Sequence, residues 1–494
     1  SNMDKEEMDW KEGKSQSSNG SVTQKTDNVG IRETTKSGGS LTEGGIPLGL
    51  EALFSACRRL YPEQPNPLQV TALVKYWLGG PDPLDYISMY EVPGNLKLNI
   101  PPHWHYISFG LSDIHGDGRV HEFVGPGQPS GFGFELTMRL KREPTDKAPP
   151  TWPAALMQSL AKYVFQSESV LCVGDHVSWH SPLDGSESRL QHMLMAEDSK
   201  LGSVATPNGN MQFVQVVGIT SDELRAVQHW NGAGVLDIMK RSLVTGGPLL
   251  VTDLRRGESI YEADPGVAEE IEAGIEAHGS NLSGVSAKIA WSATQPHMQC
   301  AGGGSNGDVN SDTAERVSSL ESEQIKIMLK KGLMTATSLP SAASDPASAQ
   351  ESSCQAEKAS DACGAVSEKC QAEPVELSVV TRLDSLHITI NLESGALLPL
   401  ALRGRLKHDR HFTFKSVTGP AALTLVAAGV SGAFVSPESP YGLRGPWLQV
   451  LIPPDLLDKM SDDLSALADP DEVKVPAQFS WPSHKLTITV HAEE

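Results

Sequence analysis

The chain has 494 residues, a formal net charge of -21 and 39% hydrophobic residues, with a mean hydropathy of -0.25. That length accommodates two or three domains, each burying its own core. The acidic balance opposes nonspecific attraction to nucleic acid, no apolar run is long enough to span a bilayer, and no secretory signal precedes the first element, so a cytoplasmic and nuclear protein is expected.

Residues 1–45 hold one aromatic, Trp10, among Ser, Thr, Gly, Lys and Glu, and read as a disordered tail. The stretch 70–86 places Val70, Leu73, Val74 and Trp77 at helical spacing, with Gly79, Gly80 and Pro81 to stop a helix. Next comes "HWHYISFGLSDIHGDGRVHE", 103–122, dense in possible ligands: His103, His105, His115, His121, Asp113, Asp117 and Glu122. On a strand, His103 and His105 share a face with Ile107, Phe109 and Leu111. "DIHGDG" mimics the start of a calcium loop but has Val124 where the bidentate Glu belongs, so Asp117-Gly118 reads better as a hairpin turn. A metal-dependent hydrolase built on this cluster is the alternative reading.

A strand is expected over 131–140, with Phe132, Phe134, Leu136 and Met138 alternating. A helix follows, with Thr151 as cap, Pro153 in the first turn, and Leu156, Leu160 and Val164 at helical spacing. The cluster 172–189 (Asp175, His176, His180, Ser181, Asp184) is too compact in sequence for a catalytic triad. "NGAGVLD" at 231–237 lacks the third glycine and the preceding strand of a dinucleotide fingerprint. No other catalytic signature occurs, and no catalytic residue, metal or cofactor is assigned.

Residues 284–291 alternate as one strand, with Val285, Ala287, Ile289 and Trp291 on a face. Composition then changes: 292–374 contain no Phe, Tyr or Trp and read as a disordered linker. Within it "SSLESEQIKIMLKKG" has capping-box spacing at Ser318 and Glu321, an apolar stripe of Ile325, Met328 and Leu329, and Gly332 as a stop. Alternation resumes at Leu386, Ile388, Ile390 and Leu392. The basic run 403–415 reads equally as a solvated edge or a docking surface. An amphipathic helix is expected over 453–468 and a closing strand over 484–490. Cys57 and Cys172 fall in helix- or strand-like apolar contexts. The six cysteines have neither zinc nor disulfide-framework spacing, and free thiols are expected.

The expected fold is α+β (mixed α/β): two mixed-sheet domains joined by a long disordered linker. The divisions are 1–45, 46–283, a strand at 284–291, 292–374 and 375–494.

Several long stretches, among them "HWHYISFGLSDIHGDGRVHEF", "GDHVSWHSPLDGSESRLQHML", "GSNLSGVSAKIAW" and "ESGALLPLALRGRLKHDRHFTFKS", closely resemble the Suppressor of Fused family. The resemblance covers about 48–291 and 376–490. It implies a non-enzymatic negative regulator of Hedgehog signalling that holds Gli-type zinc-finger transcription factors in the cytoplasm and represses transcription. Kinases and other Hedgehog-pathway proteins are implied as further partners. It further implies a peptide-binding cleft between the two domains, where a Ser-Tyr-Gly-His peptide of the factor pairs as an extra strand. The peptide-contacting positions implied are Tyr163, Leu171, Asp175 and Glu197 from the first domain, Val285 and Ala287 before the linker, and Glu393, Leu397, Arg405 and His408 from the second.

Overall fold

The computed structural model describes residues 45–295 and 379–492, and the backbone of two two-residue strands, Met3–Asp4 and Val309–Asn310. The expected helix at 318–332 lies outside the described residues, as does most of the tail and linker. The chain divides into two compact units, Ser1–Ser280 and Asn281–Glu494.

In the first unit one mixed sheet is covered on both faces. Its strands run, in spatial order, His176–Ser178, His192–Glu197, Gly209–Ile219, Pro129–Lys141, His103–Phe109, Tyr86–Val92 and Leu68–Thr71, with Met3–Asp4 beside the first. Alternation along Pro129–Lys141 sends Phe134, Leu136, Met138 and Leu140 to one face. There they pack on Leu156, Met157, Leu160 and Val164 of the helix Trp152–Ser167, as their spacing requires. Thr151 precedes that helix, but its hydroxyl caps no backbone N–H; its carbonyl receives Ala154 and Ala155 instead. The opposite sheet face carries Ile107, Phe109 and Phe213 against Leu50, Leu53 and Cys57 of the helix Leu48–Leu60. Cys172, by contrast, is exposed in a turn outside any helix or strand.

Two local expectations are corrected. Residues 70–86 are not a helix. Leu68–Thr71 pairs antiparallel with Tyr86–Val92, and only a single 3-10 turn, Tyr76–Leu78, follows, ended by Gly79 at φ 86°. Cross-strand pairing supplies hydrogen bonds along the segment, which outweighs a weak helical pattern. Asp117-Gly118 likewise forms no tight hairpin, because His103–Phe109 and Pro129–Lys141 are joined by the long loop 110–128. The start of that loop folds over the buried Glu135 carboxylate. It accepts from the Ser108 and Ser112 hydroxyls (2.6 and 2.7 Å) and from the amides of Gly110, Leu111 and Ser112.

"NGAGVLD" finds its explanation in packing. Asn231 caps the helix Gly232–Arg241 by accepting from Gly234 N at 2.7 Å. A Cβ at Gly234 would sit 2.2 Å from the Trp230 ring. Gly234 admits an indole, and Gly232 the backbone of Gly174, not a phosphate.

The second unit holds two sheets around one core. Six strands run Gly284–Ala287, Phe412–Ser416, Ala422–Val426, Trp447–Leu451, Tyr441–Arg444 and Thr381–Leu383; five run Val309–Asn310, Ile289–Thr294, Ser385–Asn391, Leu486–His491 and Ala477–Trp481. Leu456, Leu457 and Met460 of the helix Pro454–Asp463, with Leu464 and Leu467 beyond it, fill the core between these sheets. The expected single strand 284–291 is two. Gly284–Ala287 pairs parallel with Phe412–Ser416, whereas Ile289–Thr294 pairs antiparallel with Ser385–Asn391. Both belong to the second unit rather than leading away from the first. Period-two alternation survives the change of sheet at Lys288, so periodicity alone does not register it.

Candidate functional site: an edge strand in the second unit

His103–Phe109 is paired on both sides and every residue of it is buried. His105 Nε2 donates to Asp198 Oδ2 at 2.8 Å and its Nδ1 receives the Tyr61 hydroxyl at 2.6 Å. His103 Nδ1 donates to Pro101 O at 2.8 Å, and its Nε2 accepts from Arg139 at 3.0 Å. Asp198 also receives Thr137 Oγ1 (2.9 Å), Arg139 Nη2 (3.3 Å) and the amides of Lys200 and Leu201. Burial pushes the His103 and His105 imidazoles down to about 3 and about 4, so both are neutral. Burial alone would raise the Asp198 carboxyl; His105, Arg139 and Thr137 override it and hold it below the ordinary carboxylate range.

The other two histidines point elsewhere. His115 Nε2 donates to Asp85 at 2.9 Å, and His121 Nε2 donates to Gly110 O at 3.0 Å. Among the described residues no group of three or more His, Cys, Asp or Glu side chains is arranged to hold a metal. The residues that a metal hydrolase would need do not converge.

Of the positions implied for peptide contact in the first unit, Asp175 and Glu197 lie toward one end of the strand His192–Glu197. Gly174 N donates to Met195 O and Met195 N to Asp175 O, both at 2.8 Å, which fixes Asp175 beside that strand. The Asp175 carboxylate accepts from Cys172 N at 2.8 Å. Glu197 ends the strand, exposed, next to the buried Asp198 that anchors the following turn. Tyr163 is half-buried against the same core, and Leu171 is 0% exposed within it, so its side chain reaches no surface of this unit.

In the second unit, Gly284–Ala287 is the terminal strand of its sheet, and among the described residues no strand lies on its outer side. Thr413 N donates to Ser283 O and Val417 N to Ala287 O. By the alternation of parallel pairing, the backbone groups of Gly284 and Ser286 therefore face outward. Ser286 O receives the Ser394 hydroxyl at 3.1 Å, while Asn391 and Lys288 exchange two bonds, of 3.0 and 3.2 Å. These contacts seat the helical turn Leu392–Gly395 beside the strand, so exposed Glu393 and half-buried Leu397 lie close to Val285 and Ala287.

The basic run 403–415, read equally as a solvated edge or a docking surface, ends in the strand Phe412–Ser416 and begins within a π-turn, residues 401–405. This turn buries Arg405 to 1% exposure, with its Nε donating to His411 O at 2.9 Å. Burial lowers its guanidinium to about 10. His408 follows, half-buried, just before the strand Phe412–Ser416 that partners Gly284–Ala287. All six second-unit positions thus surround one strand and its neighbour. Sequence reasoning missed Asn391 and Ser394, which seat the helical turn beside the strand, and Asp198, which anchors the turn after Glu197; the one signal was an Asn and a Ser directly after an alternating strand.

A family model described as "Suppressor of Fused Gli/Ci N terminal binding domain" matches residues 269–490, and another, "Suppressor of fused protein (SUFU)", matches 80–257. The chain belongs to the Suppressor of fused family. The Suppressor of fused homologs of Mus musculus and Homo sapiens are each 52% identical to it, over 456 and 460 residues. Each alignment takes in 90% of this chain and 91% of the relative. The crystal structure of Drosophila Suppressor of Fused matches with a TM-score of 0.65 and 37% identity, covering 91% of this chain and 98% of that one. The Suppressor of fused family is regulatory, and it acts in Hedgehog signalling.

Proposed function

We propose that the chain is a non-enzymatic negative regulator that binds a Gli-type zinc-finger transcription factor through a Ser-Tyr-Gly-His-type peptide. It thereby keeps the factor in the cytoplasm and represses transcription. The observation that carries this reading is the outward-facing backbone of Gly284–Ala287. A peptide laid along such an edge gains main-chain hydrogen bonds, while flanking side chains supply specificity. The match to a family model described as Gli/Ci-binding spans all six second-unit positions. Tyr163, Asp175 and Glu197 contribute from the first unit, where Leu171 is confined to the core, and Asp175 receives the peptide's histidine in a charge-assisted bond.

Calorimetric titration with a Ser-Tyr-Gly-His peptide and its His→Ala counterpart, against wild type and Asp175→Ala, tests the reading. Removing one partner of such a bond costs roughly 1.5–3 kcal/mol, so Asp175→Ala weakens binding at least tenfold, and only for the histidine-bearing peptide. A double-mutant cycle without coupling removes the Asp175 contact. Failure of wild type to bind the peptide at all removes the function.

A further inference from the structure

At one end of the first unit's sheet, two loops carry apolar side chains into solvent, and none of the foregoing uses them. Leu96 is 94% exposed, Leu98 57%, Leu243 60% and Val244 46%. The first loop, 93–102, joins the strands Tyr86–Val92 and His103–Phe109; the second, 242–252, follows the helix Gly232–Arg241. Both lie at the end of the strand Pro129–Lys141, where Arg142 N donates to Pro102 O at 2.9 Å and Lys141 N to Thr252 O at 2.8 Å. They also meet directly: a Cβ placed on Gly247 would lie 3.8 Å from Asn99 O and 3.9 Å from Leu243 Cδ2. Neither loop is slack. Asn95 and Ile100 exchange two backbone bonds, of 2.8 and 2.9 Å, and the Asn95 side chain accepts from Lys97 N and Leu98 N, which holds both leucines out on one closed turn. In the second loop Gly247 N donates to Ser242 O at 2.9 Å, and the buried Thr245 hydroxyl donates to Met239 O. Contiguous exposed apolar groups on an ordered surface mark a place where something docks.

We infer that this end of the unit docks on an anionic lipid surface, with the four apolar side chains entering the headgroup region. Charge selects that occupant. In a chain with 61 acidic and 40 basic residues, the loops 93–102 and 242–252 contain no Asp or Glu and one basic residue, Lys97. Lys240, in the last turn of the helix before the second loop, is exposed like Lys97, and among the described residues no ion pair holds either. The acidic groups nearby are taken up. Glu91 pairs with Arg142, Asp253 with Lys141 at 2.8 Å, and Glu143 with Arg255 at 3.4 Å, while Asp146 accepts from the Trp104 indole at 3.3 Å. Asp237 sits a turn back along the helix, farther from the loop. Shape agrees with charge. A docked protein gains by filling a matched recess, whereas a side chain 94% exposed on a closed turn is buried most simply by a medium that yields around it. The lysine stems can lie along the apolar boundary with their ammonium groups among lipid phosphates. The chain's remaining negative charge does not forbid the contact, because salt screens it beyond about 8 Å.

Vesicle co-sedimentation of the full chain tests this, with phosphatidylcholine alone and with about 30% phosphatidylserine added. Binding is expected only to the anionic vesicles, and to weaken as salt is raised. Soluble glycerophosphoserine, which has the headgroup's charge without an apolar interior, is expected not to displace it. Leu96→Ser with Leu243→Ser is expected to lower the partition coefficient at least tenfold, roughly what withdrawing two part-inserted leucines costs. Lys97→Glu with Lys240→Glu is expected to lower it by about fivefold or more. All four positions are exposed, so melting is expected to stay unchanged. Equal binding to both vesicles, no binding to either, wild-type binding by the leucine variant, or displacement by glycerophosphoserine would each overturn the inference. A dimer in sedimentation equilibrium that the leucine variant abolishes, without vesicle binding, would assign the surface to a second copy of the chain instead.

Discussion

The strand His103–Phe109 and the strand Gly284–Ala287 invite opposite guesses. The first carries two imidazoles in three residues; the second carries Gly, Val, Ser and Ala. Yet the first is central in its sheet, and both nitrogens of His103 and of His105 are engaged within the protein. The second is terminal, and its chemically bland residues leave main-chain groups facing outward. Reactive side-chain types signal a site only when their hydrogen-bonding capacity remains open. Position in the sheet decides that, and a buried polar network that is fully satisfied acts as structure.

The largest effect that would sharpen this contrast is the loss of Asp198. Asp198→Ala strands the buried Arg139 guanidinium and removes the acceptor of His105 and Thr137. Breaking one partner of a buried charged pair costs about 3–5 kcal/mol, and each kcal/mol moves the melting temperature of a unit this size by about 2–4 °C. A scanning-calorimetry drop of roughly 6–20 °C in the first unit is expected. A shift under about 2 °C would mean the network is dispensable.

Next comes acid. His103 and His105 have folded-state values of about 3 and about 4, below the unfolded value of about 6.5. Between those limits the unfolded chain takes up protons that the folded chain refuses, so stability falls as pH drops through about 6.5 toward 4. The slope is at most about 1.4 kcal/mol per pH unit for each histidine. Burial raises the Glu135 carboxyl to about 7, which acts in the opposite sense between pH 7 and pH 5, so the histidines are read from the variant: the loss of melting temperature from pH 7 to pH 5 is expected to be smaller in His105→Gln than in wild type. The same loss in both proteins would contradict a neutral buried His105.

The edge strand calls for a binding measurement instead. Ser286→Pro removes an outward N–H while leaving the bonds to Phe412–Ser416 untouched, and proline is tolerated at an edge. Peptide affinity is expected to fall at least tenfold, about 1.4 kcal/mol, with the melting of both units unchanged. Unaltered affinity would place the peptide elsewhere. The smallest expected effect is that of a chelator: because the histidines are bonded within the protein, EDTA is expected to leave melting within about 1 °C. Unfolding on chelation would reinstate a metal role for the 103–122 cluster.

Much was legible in the sequence alone. The alternations at 131–140 and 386–390, the helix beginning at Trp152 and the stripe of Leu456, Leu457 and Met460 each report a local period that burial then obeys. Long stretches of residue identity were enough to assign the family. Other features were decided by the tertiary structure. Val70 and Thr71 became strand because Tyr86–Val92 lay beside them, and the run at 284–291 was divided between two sheets whose partners lie more than ninety residues away. His105 and His115 were fixed by Asp198, Tyr61 and Asp85, and His103 in part by Arg139, none of them a sequence neighbour. Periodicity records which face of an element is buried, since that repeats every few residues. Which group satisfies a given N–H, imidazole or carboxylate depends on residues brought together by the fold, and no local pattern encodes that.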